Sequence, residues 1–400
     1  MKKFLALILA LVMALSLVAC GGGNNNSEPE NPDTSDATNT EYKVAMITDY
    51  GDITDQSFNQ TTYEACKAFA ETNGVEFKYF KPAGDNTADR VSMIESAIDE
   101  GFNVIVMPGY AFGEAITETA PNFADVKFIA LDVSAGDLGA DFEVPANLYC
   151  AVYKEELCGY MAGYAAVKLG YKSLGFLGGM AVPAVQRYGY GFVQGVDAAA
   201  AEMGLTDVTL NYVYGGQFFG DADITGVMDT WYSKGTQVVF ACGGGIYTSA
   251  VDAAKKVEGA KVIGVDVDQA GVIANYAAGE GADEATVEGF KALTVTSAMK
   301  GLYPATYDTL TDVIVNGNWE KYSAKIDTLG LVSADDPSAN YVQIPMDSTQ
   351  WADGAFTQDD YKALVAKMFS GELTVSDDIT KAASDFATVI TVDDQGAIKG

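Results

Sequence analysis

Short, continuous runs of apolar residues alternate along the chain, from residue 42 onward, with stretches of helical periodicity. Runs of this kind, rich in Val, Ile, Leu, Phe and Tyr, are typical of strands buried on both faces of a parallel sheet. They predict strands at 43–48, 104–108, 126–132, 148–153, 174–178, 208–214, 238–242, 261–266 and 293–297, with a weaker strand near 76–80.

The stretches between these strands predict helices. Asn86 precedes one helix, and another begins at Glu155 with its apolar positions on one side. Alternation of strands and helices over this length indicates an α/β fold with parallel sheets and right-handed crossovers. A single sheet of ten or more strands is possible, but two doubly wound sheets of about five or six strands fit the length better.

We therefore expect two lobes with a ligand cleft between them. The first lobe is predicted to contain residues 42–150 together with about 298–320, and the second residues 151–297 together with about 321–400. The last hundred residues carry only weak strands, at 342–345 and 388–391, and one clear helix at 358–369. These elements are expected to complete one or both lobes.

The N-terminus has the pattern of a lipoprotein signal peptide, assigned to residues 1–19 and cleaved on maturation. Two lysines precede an apolar run that is too short to span a membrane and that ends in L-V-A-C-G, which resembles a bacterial lipobox with Cys20 as the lipidated residue. The alternative is an ordinary secretory signal with an incidental cysteine. Residues 20–41 are almost free of apolar side chains and predict a flexible tether. The folded part is thus expected to be extracytoplasmic and anchored to the bacterial cell membrane.

Composition narrows the class of function. A formal net charge of −31 disfavours nucleic acid and anionic lipid headgroups, since both are bound through Lys and Arg. The chain has no histidine, which weighs against most hydrolytic mechanisms. The four cysteines other than Cys20 match no metal or redox spacing and are expected to be small buried side chains: Cys66, Cys150, Cys158 and Cys242. No metal site, cofactor or catalytic residue is predicted.

Polar residues at the ends of predicted strands form the candidate site, because ligands of open parallel sheets bind at the carboxyl ends of the strands. Asp49, Asp132 and Asp266 each end a strand. A single Asp in such a place is equally well explained as a turn residue or helix cap, but three facing one cleft favour binding of hydroxyl or N–H groups. Lys300 would balance the negative charge of these carboxylates and donate hydrogen bonds; the alternative is a solvated surface lysine. Gly243 and Gly244, after another strand, either form a flexible turn or allow close approach of a ligand.

Two aromatic positions could hold a planar ring. Phe58 lies off the apolar stripe of its helix, so it is either a hydrophobic staple at the helix start or a stacking platform. Phe218 and Phe219 follow the strand 208–214 and offer a second ring from the opposite lobe, with local packing as the alternative. The sequence does not decide which of these two would stack.

Several longer motifs resemble the basic membrane protein family, the purine-nucleoside-receptor type of substrate-binding lipoprotein that serves ABC importers. They are T-D-Y-G-x-x-x-D-Q-S-F-N-Q at 48–60, Y-K-E-E-x-x-G-Y-M-A-G-Y at 153–164, G-F-L-G-G-M-x-V-P-x-V-x-R at 175–187, N-Y-V at 211–213, G-V-D-V-D-Q at 264–269 and T-S-A-M-K at 296–300. The resemblance extends from 42 to about 315 and implies a fold similar to type I periplasmic binding proteins.

The resemblance also implies roles for individual residues. Asp49 and Asn59 would contact the base edge, and Phe58 and Phe219 would enclose the ring. The ribose hydroxyls would be held by Asp132, Asp266, Lys300 and the backbone at Gly243 and Gly244. The expected function is that of a receptor, not an enzyme, which binds a nucleoside, with a purine preferred, and delivers it to a permease. The alternatives are a receptor for another heterocycle or sugar, such as a flavin or a pentose, a nucleoside-processing enzyme, and a surface interaction lipoprotein.

Overall fold

The computed structural model describes residues 41–399. The predicted signal peptide at 1–19, Cys20, and the tether up to residue 40 lie outside the described residues. Within 41–399, no helix is both long and apolar enough to cross a bilayer.

Strands and helices alternate in the order that the apolar runs predict. The strands are β1 (Lys43–Ile47), β2 (Glu76–Phe80), β3 (Val104–Pro108), β4 (Lys127–Leu131), β5 (Leu148–Tyr153), β6 (Ser173–Gly178), β7 (Thr209–Tyr214), β8 (Val238–Cys242), β9 (Lys261–Asp266), β10 (Thr294–Lys300), β11 (Lys325–Leu329), β12 (Val342–Gln343) and β13 (Thr391–Ala397). The helices are α1 (Phe58–Asn73), α2 (Thr87–Asp99), α3 (Gly113–Thr119), α4 (Ala135–Leu138), α5 (Glu155–Lys168), α6 (Pro183–Met203), α7 (Ala222–Ser233), α8 (Tyr247–Ala254), α9 (Ala270–Ala278), α10 (Glu284–Lys291), α11 (Leu302–Leu310), which continues as a π-helix (Thr311–Val315), and α12 (Gln358–Phe369).

Two separate sheets form the centres of two lobes. The first has the strand order β11-β5-β4-β3-β1-β2 and the second β12-β10-β9-β8-β6-β7-β13. Every pairing is parallel except that of β10 with β12. The order β5-β4-β3-β1-β2 recurs as β10-β9-β8-β6-β7, so the lobes repeat one doubly wound arrangement. The predicted α/β fold with two lobes is therefore confirmed.

The chain passes between the two sheets three times: after β5, after β10 and after β11. β5 belongs wholly to the first sheet, although the expected boundary at 150/151 falls inside it. β11, Lys325–Leu329, also belongs to the first sheet, where it pairs with β5, although residues from about 321 were expected in the second lobe. Its partly exposed pattern at a sheet edge lacks the continuous apolar run of the inner strands, which is why no strand was predicted there.

Glycines allow α5 and α6 to pack at unusually close range. A Cβ on Gly191 would lie 2.0 Å from the Glu156 carbonyl oxygen, and one on Gly195 would lie 2.1 Å from that of Tyr160. Both helices begin next to the cleft, so their close packing also brings Glu155 and Arg187 within hydrogen-bonding distance. The glycine spacing in α6 serves helix packing.

Candidate functional site

A cavity of about 420 Å³ lies between the carboxyl edges of the two sheets. Its volume is in the range of small-molecule sites, about 300–1,000 Å³. All nine residues predicted for the site line it: Asp49, Phe58, Asn59, Asp132, Phe219, Gly243, Gly244, Asp266 and Lys300. The structure thus brings the predicted residues together, whereas what they bind stays a matter for proposal.

Asp132 and Asp266 occupy equivalent places in the two lobes, at the ends of β4 and β9. Both have left-handed backbone conformations, with φ of 59° and 64°. Such a conformation costs a non-glycine residue about 1–3 kcal/mol and is concentrated at functional sites. The same conformation at both strand ends places one carboxylate from each lobe in the cavity lining.

Lys300, the last residue of β10, lies in the middle of the charged part of the site. Its Nζ is 2.5 Å from Asp132 Oδ2, 3.5 Å from Glu155 Oε1 and 3.9 Å from Asp266 Oδ1. Burial on its own would lower the pKa of Lys300, but these three carboxylates together raise it above its usual value. Lys300 is therefore a protonated donor at neutral pH, and it cannot serve there as a base.

Hydrogen bonds across the cleft hold the lobes together. Ser57 Oγ, in the first lobe, donates to Asp266 Oδ2 in the second at 2.6 Å. Gln269 Nε2 donates to the Gln56 carbonyl oxygen at 3.2 Å, and the ion pair of Lys300 with Asp132 also joins the lobes. The structure is consequently a closed form, in which the cavity is enclosed by both lobes.

The loop before α1 is ordered by carboxylates. Asp55 accepts hydrogen bonds from the backbone N–H groups of Ser57, Asn59 and Gln60 and so stabilises the helix start. Asp49 Oδ1 accepts from the N–H groups of the next two residues, Tyr50 and Gly51, at 2.6 and 2.7 Å. Burial raises the pKa of Asp49, although these donors favour its charged form.

Two buried acceptors of the cavity residues have no hydrogen-bond partner in the described structure: Asn59 Oδ1 and Asp132 Oδ1. The Asn59 amide nitrogen is engaged by Asp55 at 3.2 Å, which orients the side chain and leaves its oxygen available. A buried acceptor without a donor costs about 1–3 kcal/mol. Both residues line the cavity, where a bound molecule can supply the donors that these atoms lack.

Aromatic rings enter the cavity from both lobes. Phe58 is the first residue of α1, and Lys300 Nζ lies 4.8 Å from its ring centroid, within cation–π distance. The ring of Phe218 packs so close to Gly243 that a Cβ there would lie 2.8 Å from it. Gly243 also has φ of 149°, which favours glycine. The space beside Gly243 is thus filled in part by Phe218 of the same chain, and the close approach of a ligand there stays a prediction.

Phe218 and Phe219 differ in environment. The Phe218 ring centroid is 6.3 Å from that of Tyr50 across the cleft, so this ring already has partners from both lobes. Phe219 is 62% exposed although it lines the cavity, so its side chain has surface left for a ligand to cover. This contrast favours Phe219 as the ring that a ligand would contact.

Four residues that take part in the hydrogen-bond and ion-pair network of the charged groups were not predicted as site residues: Ser57, Glu155, Arg187 and Tyr188. Glu155 is fully buried and accepts from Arg187 Nε at 2.6 Å, so it links Lys300 to Arg187. Tyr188 OH donates to Asp266 Oδ1 at 3.2 Å. Glu155 and Arg187 lie in the motifs at 153–164 and 175–187, but a sequence does not reveal which motif residues meet in space.

The arrangement is suited to binding a polar ligand. Within residues 41–399, no group of three or more Cys, Asp or Glu side chains is placed to hold a metal ion. The four cysteines there are buried and free, as expected. Carboxylates, a protonated lysine and aromatic rings in an enclosed cavity match a ligand with several hydroxyl or N–H donors and a planar ring.

Comparisons with known proteins agree with the fold and show the family. Residues 42–343 match the family described as Bmp: ABC transporter substrate-binding protein PnrA-like. The ABC transporter nucleoside-binding protein BmpA of Lactococcus lactis subsp. cremoris is 27% identical over 281 residues, which cover 67% of this chain and 75% of that protein. Basic membrane protein B of Borreliella afzelii is 27% identical over 301 residues, covering 73% of this chain and 79% of that protein.

Solved structures show the same fold. An ABC transporter solute-binding protein from Aeropyrum pernix K1 aligns with a TM-score of 0.63 at 20% identity, covering 86% of this chain and 90% of that one. Another from Conexibacter woesei aligns with a TM-score of 0.59 at 23% identity, covering 84% of this chain and 99% of that one. The fold is that of type I periplasmic-binding-protein-like receptors. With three quarters of its length matched by the family, the chain belongs to the Bmp family of PnrA-like ABC transporter substrate-binding proteins.

Proposed function

We propose that this substrate-binding protein is a lipid-anchored, extracytoplasmic receptor for a nucleoside, with a purine base preferred, which it delivers to the permease of an ABC importer. Membership of the family makes a small-molecule ligand and a permease its partners. The nucleoside and the lipid anchor on Cys20 are the parts that we add. The relative from Lactococcus lactis is named for nucleoside binding, which supports the choice of ligand.

The observation that carries the proposal is the pair of buried acceptors without partners, Asn59 Oδ1 and Asp132 Oδ1. They belong to different elements of the first lobe, Asn59 to the start of α1 and Asp132 to the position directly after β4. A nucleoside has N–H donors on its base and O–H donors on its ribose, so one molecule can satisfy both acceptors. In our proposal Asn59 and Asp49 receive the base edge, and Asp132 receives a ribose hydroxyl.

The rest of the cavity suits the same ligand. Phe58 and the exposed Phe219 provide rings from opposite lobes for the two faces of the base. Lys300 and Asp266 provide a donor and an acceptor for the ribose, and the backbone at Gly243 and Gly244 lies alongside. A ligand without the ribose would leave Asp132 Oδ1 without a donor, at a cost of about 1–3 kcal/mol, or roughly 5- to 150-fold in affinity.

Calorimetry with purified protein tests the ligand. The panel contains purine nucleosides, pyrimidine nucleosides, the free purine bases, ribose and riboflavin, and chromatography of each mixture detects turnover. We expect tight binding of purine nucleosides, weaker binding of the bases by the factor above, and no product. Selective binding of riboflavin or of a pentose would replace the nucleoside, product formation would make the protein an enzyme, and no binding across the panel would refute the proposal.

Cell fractionation with metabolic labelling by a fatty acid tests the anchor. In the bacterial host, Cys20→Ala should lose the label and leave the membrane fraction. The matched control is Cys66→Ala, which removes a buried cysteine of the folded part and should retain both. Retention of label in the Cys20 variant would refute the lipid anchor without affecting the proposal for the ligand.

A further inference from the structure

The C-terminal strand ends beside the loop that carries the aromatic residues of the second lobe. β13 pairs in parallel with β7, with Thr391 opposite Thr209 and Ala397 opposite Tyr214. Since parallel strands run in the same direction, residues after β13 arrive at the sheet edge where the chain leaves β7. The segment after β7, residues 215–221, contains Phe218 and Phe219 and is called here the aromatic loop.

Lys399 contacts the start and the end of the aromatic loop. A Cβ on Gly216 would lie 2.5 Å from the Lys399 carbonyl oxygen, and Gly216 has φ of 83°, so only glycine fits at this contact. The Nζ of Lys399 forms an ion pair with Asp221 Oδ2 and lies 3.4 Å from Gln217 Oε1.

The Gln217 side chain, which contacts Lys399, also bonds to the backbone next to the aromatic side chains. Gln217 Nε2 donates to the Phe219 carbonyl oxygen at 2.9 Å and to Asp221 Oδ2 at 2.8 Å. Asp221 in turn accepts from two backbone N–H groups at the start of α7. Lys399 therefore completes a small network that ties the middle of the aromatic loop to its end.

The segment that leads to Lys399, β13 and the residues on either side of it, is held to the second lobe by several hydrogen bonds. Asp197 on α6 accepts from the backbone N–H groups of Thr388, Val389 and Ile390. Trp231 Nε1 donates to Gln395 Oε1 at 3.2 Å, and Ile398 N–H donates to the Tyr214 carbonyl oxygen at 2.8 Å. This anchoring makes the segment a fixed support. It lies beyond residue 343, where the match to the family ends.

We propose that residues 391–399 act as a support for the binding site, with Lys399 as the positioning residue that holds the aromatic loop in its ligand-binding conformation. The proposal rests on the proposed function, because the loop matters only if its rings contact a ligand. Lys399 itself touches no ligand and acts through the placement of Phe218 and Phe219. Its side chain is 34% exposed and that of Asp221 26%, so the effect is that of a partly exposed ion pair.

Nucleoside affinity of the full chain tests this role. Lys399→Ala should weaken binding by about 2- to 5-fold, which is the range for a partly exposed pair, and Lys399→Arg should restore most of it. The matched control is Lys381→Ala, which removes a lysine of the same C-terminal region whose ion pair is with Asp378 and not with the aromatic loop. The control should bind as the parent protein does.

A double-mutant cycle separates positioning from a general loss of stability. If Lys399 acts through a ring of the loop, Lys399→Ala should add little to the loss already caused by Phe218→Ala or by Phe219→Ala. Full additivity with both Phe substitutions, or an effect equal to that of the Lys381 control, would overturn the proposal.

Amide hydrogen exchange in the ligand-free protein measures opening of the aromatic loop directly, so this test of Lys399 does not depend on which ligand the protein binds. The N–H groups of Gly216 and Asp221 bond to the Gly179 carbonyl oxygen and to Ser249 Oγ, so they report on opening of the loop. Lys399→Ala should speed their exchange by about the same 2- to 5-fold, since loss of the pair favours opening. Unchanged exchange would overturn the role of Lys399. If the variant exchanges faster but the parent protein binds no nucleoside, the proposed function is refuted and the structural role of Lys399 stands.

Discussion

Ser57→Ala tests whether one hydrogen bond across the cleft stabilises the closed form. Ser57 is fully buried, and its hydroxyl donates to the Asp266 carboxylate at 2.6 Å. In an open form, water would replace this contact. A hydrogen bond to a charged group contributes about 1.5–3 kcal/mol, and Asp266 keeps other partners in Tyr188 and Lys300, so we expect the lower limit.

A loss of about 1.5 kcal/mol corresponds to a roughly tenfold lower ratio of closed to open molecules. Single-molecule energy transfer measures this ratio directly in ligand-free protein, with dyes attached at Tyr79→Cys in the first lobe and Met203→Cys in the second. Both positions are exposed, and the native cysteines of the described residues are buried. If open molecules predominate, nucleoside affinity should fall by the same factor, because only the closed fraction binds fully.

The control is Ser96→Ala, which removes a hydroxyl that bonds only to its own helix, at the Ser92 carbonyl oxygen. It should leave the ratio unchanged. A Ser57→Ala ratio within twofold of the parent protein would refute the reasoning, since the contact with Asp266 would then contribute nothing to closure.

Three further outcomes follow from the site. Phe58→Ala should weaken base-bearing ligands by about 1–3 kcal/mol, measured by calorimetry, because stacking on an aromatic ring contributes that much; a large fall in the melting temperature of the ligand-free protein would instead favour a hydrophobic staple. Lys300→Met should lower the free energy of unfolding by about 3–5 kcal/mol in denaturant titration, because it leaves the Asp132 carboxylate without its ion-pair partner and removes the positive charge beside Glu155 and Asp266; an unchanged midpoint would contradict this. Burial, and secondarily Glu155, raises the pKa of Glu156 from 4.5 to about 8, so the stability it contributes is complete below pH 4.5 and is lost as the pH rises to about 8. Glu156→Gln should flatten this loss in melting curves from pH 4.5 to 9, and equal slopes for both proteins would refute the assignment.

The strands show how far the hydrophobic pattern reaches. The ten strands from β1 to β10 begin and end close to the predicted apolar runs, because a strand buried on both faces needs a continuous apolar stretch. β11 went unpredicted since, at the sheet edge, its residues are only partly buried. Because β11 belongs to the first sheet, the first lobe extends beyond the boundary near residue 320 that the sequence predicted.

The candidate site was predictable for a related reason. In a parallel sheet the carboxyl ends of all strands share one edge, so residues that follow strands are brought together by topology alone. Asp49, Asp132, Asp266 and Lys300 could therefore be placed in one cleft before any side-chain position was known. Family motifs added Asn59, whose neighbours alone gave no such signal.

What the sequence by itself determined is the succession of strands and helices, the edge of the sheets at which a ligand can bind, and the family of the protein. The tertiary structure alone decided which side chains meet. Ser57 and Asp266 are 209 residues apart, and Lys399 and Asp221 are 178 apart, yet each pair forms a direct contact. Local periodicity reflects burial of each segment against its own sheet, whereas such contacts depend on how two lobes and a C-terminal strand pack together, which no local pattern encodes.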